Sequence, residues 1–261
     1  MYARFPVARR SAEGIGKPTV SNTVPTFRER FSDLAEQARN EDASFEAYLL
    51  ALCEEESEER RLNRIERRVR ESQLPREKTL ETLDLKRMGR KVGLQVRTLV
   101  QGDFVDRREN VLAFGNPGSG KTHLLCAIGH ELIQAGRRVY FTTCSLLVQQ
   151  LLRAKQDLRL ERHLKRLGRY DALIIDDIGY VQHDRDEMEV LFTLFADRYE
   201  RGSVLLTSNL PFSKWERIFK DPMTTAAAID RLVHHSVILE LNISSYRIEH
   251  AKTRKGKGKA E

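Results

Sequence analysis

Eight residues, Gly115 to Thr122, read G-N-P-G-S-G-K-T. The spacing G-x-x-x-x-G-K-T is that of a loop that cradles a nucleotide triphosphate. Gly115, Gly118 and Gly120 carry no Cβ, so the backbone through Asn116, Pro117 and Ser119 can curl around phosphates and aim its N–H groups inward. Lys121 can reach the β- and γ-phosphates, and the Thr122 hydroxyl can ligate Mg²⁺. His123 belongs to the nucleotide-contacting stretch by position. Its imidazole shares no ligand spacing with His130, His234 or His235 and is expected to be structural.

A second group is Ala172 to Asp177, A-L-I-I-D-D, an apolar strand ending in two carboxylates. In a phosphate-transfer site Asp176 would hold Mg²⁺ and Asp177 would orient the attacking water. A strand running into a helix N-cap also favours acidic residues, but the loop upstream makes the catalytic reading the stronger one. Thr207-Ser208-Asn209 follows another apolar run. Asn209 would sit beside the γ-phosphate and help place the water, although a simple turn before Pro211 explains it nearly as well. Arg231, in A-A-I-D-R-L-V-H-H, has two even readings. It either stabilises transition-state charge on a neighbouring copy's γ-phosphate, or it pairs with Asp230 or solvent on a helix face.

From Leu146 to Arg169 the cations Arg153, Lys155, Arg159, Arg162, Lys165, Arg166 and Arg169 face only Asp157 and Glu161, with leucines interleaved. A helical hairpin with a basic face that tracks phosphates fits this pattern, and so does a solvated helix face.

The elements that must position these groups follow from periodicity. Val111–Phe114, Val139–Thr143, Ala172–Asp176, Val204–Ser208 and Val237–Leu241 are continuous apolar runs, as in parallel strands buried on both faces. Helices fill the gaps, the first over Lys121–Ala135. Upstream, Thr26 to Glu29 reads as a capping box that starts a helix carrying Phe27, Phe31, Leu34, Ala35 and Ala38. A second helix begins near Asp42–Phe45 and ends at Gln73-Leu74-Pro75. The expected organisation is a disordered basic tail over 1–25, a small all-helical domain over 26–76, a linker over 77–100, an α/β nucleotide-binding domain over 101–247 and a basic tail over 248–261.

The chain has 261 residues, 32% of them charged, with a formal net charge of +7. The modest basic excess favours an acidic partner such as nucleic acid. No apolar run is long enough for a bilayer, and the N-terminus lacks the apolar core of a secretory signal, so no membrane association is expected. Cys53, Cys126 and Cys144 are scattered, with neither a disulfide framework nor a zinc spacing, and a reducing cytoplasm is the expected compartment.

In the order of these motifs the chain resembles the AAA+ ATPases, and more closely the IstB-type transposition helpers. The closer likeness rests on G-K-T-H-L (Gly120 to Leu124), R-Y-D-A-L-I-I-D-D-I-G-Y (Arg169 to Tyr180), L-L-T-S-N-L-P-F-S-K-W (Leu205 to Trp215) and A-I-D-R-L-V-H-H-S (Ala228 to Ser236). Helicase loaders of the DnaC type share the same core. The resemblance implies a P-loop AAA+ core with a five-stranded parallel sheet flanked by helices. It implies ATP and Mg²⁺ as ligands and a self-assembled, ATP-bridged oligomer that assembles on duplex DNA and deforms it. It also implies a cognate transposase as partner and ATP hydrolysis that releases the complex. The Leu146–Arg169 hairpin matches the insertion lining the DNA path in that clade, and Arg231 the arginine-finger region. Two departures stand out. Asp177 replaces the usual Glu, which leaves open a nucleotide-gated scaffold with negligible hydrolysis. The usual helical lid is not expected after Leu241, and Arg247 is a weak candidate for touching nucleotide. A replicative helicase loader remains the alternative function.

Overall fold

The computed structural model describes residues 24–178, 185–215 and 222–243, with side chains of 222–225 excepted. The two expected tails lie outside these residues except for Val24 and Pro25, as does Arg247. The chain divides into two compact units, one ending at Glu66 and one starting at Arg67.

The first unit contains α1 (Pro25–Asn40) and most of α2 (Phe45–Ser72). The start of α1 differs from the expected capping box. Val24 is the N-cap and makes no side-chain cap bond. Instead Glu56, buried on α2, accepts the free N–H groups of Thr26 (3.0 Å) and Phe27 (3.3 Å). A carboxylate at a helix N-terminus meets both its orphan donors and its dipole, so the local Thr–Glu pair has nothing left to satisfy. Tyr48 donates its hydroxyl to the Phe31 carbonyl, and Arg30 forks onto Glu55, so the two helices are also held by polar contacts.

In the second unit α2 stops at Ser72, followed by Gln73 at φ 62°. Residues 77–100, expected as a linker, are ordered into elements. A 3-10 turn spans Leu85–Met88 and α3 spans Gly89–Leu99, burying Val92, Val96 and Leu99 at helical spacing. Two glycines and a run of cations dilute that spacing in the sequence. A short α4 (Asp103–Asp106) leads into the sheet.

The sheet is five-stranded and parallel in the order β2-β3-β4-β1-β5, with β1 Asn110–Gly115, β2 Val139–Thr143, β3 Ala172–Asp176, β4 Ser203–Ser208 and β5 Ser236–Leu241. Between them run α5 (Lys121–Gln134), α6 (Cys144–Gln156), α7 (Leu160–Leu167), α8 (Arg185–Arg198) and α9 (Pro222–Val233). β3 and β4 are buried along their full length, which is why their sequences do not alternate. Gly129 lets α5 lie close to the sheet, since a Cβ there would come within 2.7 Å of Ile174 Cδ1. Trp215, fully buried, belongs to the core, with its indole N–H donated to the Leu210 carbonyl.

Arg198 fastens the opposite end of the sheet. It is 3% exposed and donates to the carbonyls of Leu167, Tyr170, Asp171 and Ser203. Burial lowers its pKa to about 10, still far above neutral, so it stays a cation. It thereby ties the segments entering β3 and β4 to α8. Among the described residues no helix is long and apolar enough to cross a membrane.

Candidate functional site

In a parallel sheet the C-terminal strand ends open onto one rim, where ligands bind. Here that rim gathers the P-loop after β1, Asp176 and Asp177 after β3, and Asn209 after β4. The P-loop, Asp177 and Asn209 border a cavity of about 410 Å³, and Asp176 is buried behind Thr122, to which it is hydrogen-bonded. Gly118 (φ 80°) and Gly120 (φ 92°) hold left-handed backbone that curls the loop into the first turn of α5.

Lys121 Nζ donates to the carbonyls of Gly115 (2.8 Å) and Asn116 (3.0 Å), which lays its side chain along the loop. Ser119 is 2% exposed, and its Oγ has no hydrogen-bond partner. The cavity's volume, the left-handed glycines and the Lys121 ammonium on its lining fit a nucleoside triphosphate.

A chain of hydroxyl groups organises the acidic side. Thr122 Oγ1 and Thr207 Oγ1 each donate to Asp176 Oδ1, both at 2.7 Å. Thr207 Oγ1 also accepts the Asp177 N–H at 2.8 Å, and its carbonyl accepts the Ile178 N–H. Asp177 sits at φ 60°, with its side chain exposed at the cavity. Left-handed backbone is far more accessible to Asp than to most side chains. That gives a physical reason for Asp at a position where the resembling family has Glu.

The motif Thr207-Ser208-Asn209 points to Asn209, yet it is Thr207 that bridges the two carboxylates. Its signal in the sequence is a hydroxyl directly after the apolar run Val204–Leu206, on the strand beside the one ending in Asp176. Asn209 lines the cavity. The opposite wall comes from the supposed linker, through Lys78, Thr82, Asp84, Arg87 and Met88. His123 Nε2 lies 3.0 Å from Thr82 Oγ1 and 3.1 Å from the Thr79 carbonyl, so the imidazole clasps this wall to the P-loop helix. Met88 packs against the loop itself, 3.1 Å from where a Gly120 Cβ would stand. No sequence motif marks this wall.

Arg231 lies elsewhere. Asn110, at the start of β1, donates to the carbonyls of Arg231 and Leu232. The P-loop begins at the other end of that six-residue strand, roughly 16 Å away at the usual strand rise. The Arg231 guanidinium stacks over the Phe192 ring at 4.4 Å, and its Nη1 is buried without a hydrogen-bond partner. No Arg231–Asp230 ion pair occurs among the described residues.

The basic segment is a helical hairpin, α6 and α7, between β2 and β3. Leu147, Val148, Leu151, Leu164 and Leu167 are buried in the core. Arg153, Arg159, Arg162, Lys165 and Arg166 are exposed. Lys155 is held by Asp186 (3.3 Å) and Glu189 (3.0 Å) on α8, and Lys165 by Glu161 (2.7 Å). Cys126 and Cys144 are buried, and desolvation pushes both thiols up to about 12, which removes them as nucleophiles.

Comparison with known proteins bears on the family and the fold. The family described as IstB-like ATP binding protein matches residues 23–254. A protein of Sinorhizobium fredii named as an insertion sequence ATP-binding protein is 44% identical, covering 86% of this chain and 76% of its own length. One so named from insertion sequence IS5376 of Geobacillus stearothermophilus is 38% identical over 90% of this chain and 94% of its own. Among solved structures, the DnaC helicase loader superposes with a TM-score of 0.50 at 19% identity, over 59% of this chain and 89% of that one. That likeness concerns the AAA+ fold.

Proposed function

We propose, from the premise that this chain belongs to the IstB-like ATP-binding protein family, that it is the ATP-dependent, DNA-binding helper of an insertion-sequence transposase. It assembles with ATP on duplex target DNA and hydrolyses ATP to let go. The observation that carries the ATPase reading is the hydrogen-bonded run Thr122–Asp176–Thr207–Asp177 on the rim of a cavity walled by the P-loop.

Each residue then has a task. The backbone of Gly115 to Gly120 and Lys121 receive the phosphates, with Lys121 exchanging two carbonyl partners for phosphate oxygens. Thr122 and Asp176 would hold Mg²⁺, which neutralises phosphate charge when bound. Asp177 orients the attacking water from a backbone pinned by Thr207, and Asn209 steadies that water at the γ-phosphate. Arg231 lies too far from its own P-loop to serve it and would act on a neighbouring copy. The exposed arginines of the α6–α7 hairpin would track DNA phosphates.

The names of the relatives support the insertion-sequence setting, and the exposed hairpin supports the nucleic-acid partner. The test is duplex binding by the purified chain with Mg²⁺ and ATP, ADP or no nucleotide, across a salt series. ATP-enhanced affinity that falls with salt is expected. Equal affinity in all three states sinks the reading, and capture of a replicative helicase instead of a transposase would turn it into a helicase loader.

A further inference from the structure

The tip of the α6–α7 hairpin carries a residue that folding alone would not choose. α6 ends at Gln156 with Asp157 as its cap, and Leu158 follows at φ 55°. The Leu158 N–H is donated to the Lys155 carbonyl (3.1 Å) and the Arg159 N–H to the Ala154 carbonyl (2.7 Å). This is a helix-terminating turn whose left-handed position normally holds Gly or Asn. A leucine there meets a steric cost that Gly avoids. Its side chain is 95% exposed, so it gains no burial in return. The other leucines of the hairpin body that point inward, Leu147, Leu151, Leu164 and Leu167, are all buried.

The surroundings indicate what would cover it. Arg153, Arg159 and Arg162 are exposed near the tip, and none forms an ion pair among the described residues. Lys155 and Lys165, by contrast, already have carboxylate partners. An apolar protein pocket closing over Leu158 would have to desolvate that cationic fringe. A nucleic-acid duplex offers phosphates to the arginines and an apolar base stack to the leucine. Proteins that deform DNA use this pairing, inserting an apolar side chain between base steps while cations hold the backbone.

We propose that Leu158 is a wedge that enters a base-pair step of the bound duplex and unstacks it, with Arg153, Arg159 and Arg162 on the flanking phosphates. This rests on the reading of the chain as a duplex-DNA-binding ATPase. It assigns to one residue the duplex deformation that the family resemblance implies and that phosphate contacts alone do not supply. The rigid turn beneath Leu158, fixed by two backbone hydrogen bonds, is what lets one side chain transmit the push.

The test uses the full chain with Mg²⁺ and ATP on a duplex carrying 2-aminopurine at successive positions and dyes at its ends. The wild type is expected to raise 2-aminopurine fluorescence at one or a few steps and to shorten the end-to-end distance. Leu158→Gly suits the left-handed turn, so the fold is not at risk. It should keep duplex affinity within about threefold and the same salt slope, because phosphate contacts set that slope. The fluorescence rise should drop at least fivefold. Leu158→Met should retain most of it. An unchanged fluorescence signal in Leu158→Gly overturns the wedge while leaving DNA binding intact. So does loss of transposase capture in that variant with both DNA signals unchanged, which would make Leu158 a protein contact. Absence of ATP-dependent duplex binding in the wild type overturns the parent reading, and the wedge with it.

Discussion

The nucleotide rim and the α6–α7 hairpin use polar groups in opposite ways. On the rim, Asp176, Lys121 and Thr207 are buried, and each has fixed partners within 3.0 Å. On the hairpin the arginines stand in solvent, and Arg153, Arg159 and Arg162 have no ion-pair partner among the described residues. A preorganised site stabilises charge without rearranging at the moment of reaction. An exposed cationic face instead adapts to a long polyanion and contributes in many small increments. Single substitutions should therefore be severe at the first and graded at the second.

The largest effect belongs to a residue outside both regions. If Arg231 completes a neighbour's site, Arg231→Ala should lower turnover of the assembled ATPase on the order of 10³-fold while ATP affinity of the dispersed chain stays put. Its Nη1 has no hydrogen bond to break when it swings out. Mixing Arg231→Ala with Lys121→Ala should restore part of the turnover, because a hybrid interface pairs an intact P-loop with an intact arginine. No recovery on mixing would assign Arg231 a structural role over Phe192. Within the rim, Lys121→Ala should weaken ATP binding by roughly 10²-fold, the loss expected for a pair of charge-assisted hydrogen bonds to phosphate. Titration with a fluorescent ATP analogue measures it directly.

Thr207→Val tests whether the rim is as preorganised as its distances suggest. The isosteric methyl leaves an Asp176 oxygen and the Asp177 N–H each short of a partner, a cost of about 1–3 kcal/mol. That corresponds to a 10- to 100-fold fall in turnover, and thermal stability should drop as well. ATP affinity should change little, since Thr207 touches carboxylate and backbone and no phosphate-binding group. Thr207→Ser keeps the hydroxyl and should recover most of the rate. If valine and serine variants turn over alike, the hydroxyl bridge does not position Asp177.

The same contrast governs what could be read in the sequence. The strands and the P-loop were legible to within a residue because burial on both faces and glycine conformations leave direct traces in residue type. Asp176 and Asp177 were legible because an apolar strand ending in acid follows a P-loop upstream. The wall of the cavity from Lys78 to Met88 was not, since no periodicity survives in a 3-10 turn and loop. What holds it is the clasp of His123 on Thr82 and Thr79 and the packing of Met88 on Gly120, made between residues some thirty to forty positions apart. Glu56 capping α1 leaves no local trace for the same reason: its partners are backbone groups 29 and 30 residues away. The hairpin was visible as a charge run, yet its separation into tied and untied cations depends on α8 supplying Asp186 and Glu189.

That separation yields the smallest and most discriminating prediction. Arg159→Ala with Arg162→Ala should flatten the dependence of log affinity on log salt by about two for duplex DNA, with a uniform loss across sequences. Lys155→Ala, by contrast, should shift duplex affinity less than about twofold. Its ammonium already has two carboxylates at 3.0 and 3.3 Å, and freeing them adds repulsion about equal to the attraction lost. If Lys155→Ala flattens the salt slope as much as either arginine, the cation is a phosphate contact. The α8 carboxylates would then be partners it abandons on DNA, and the hairpin would be one continuous basic face.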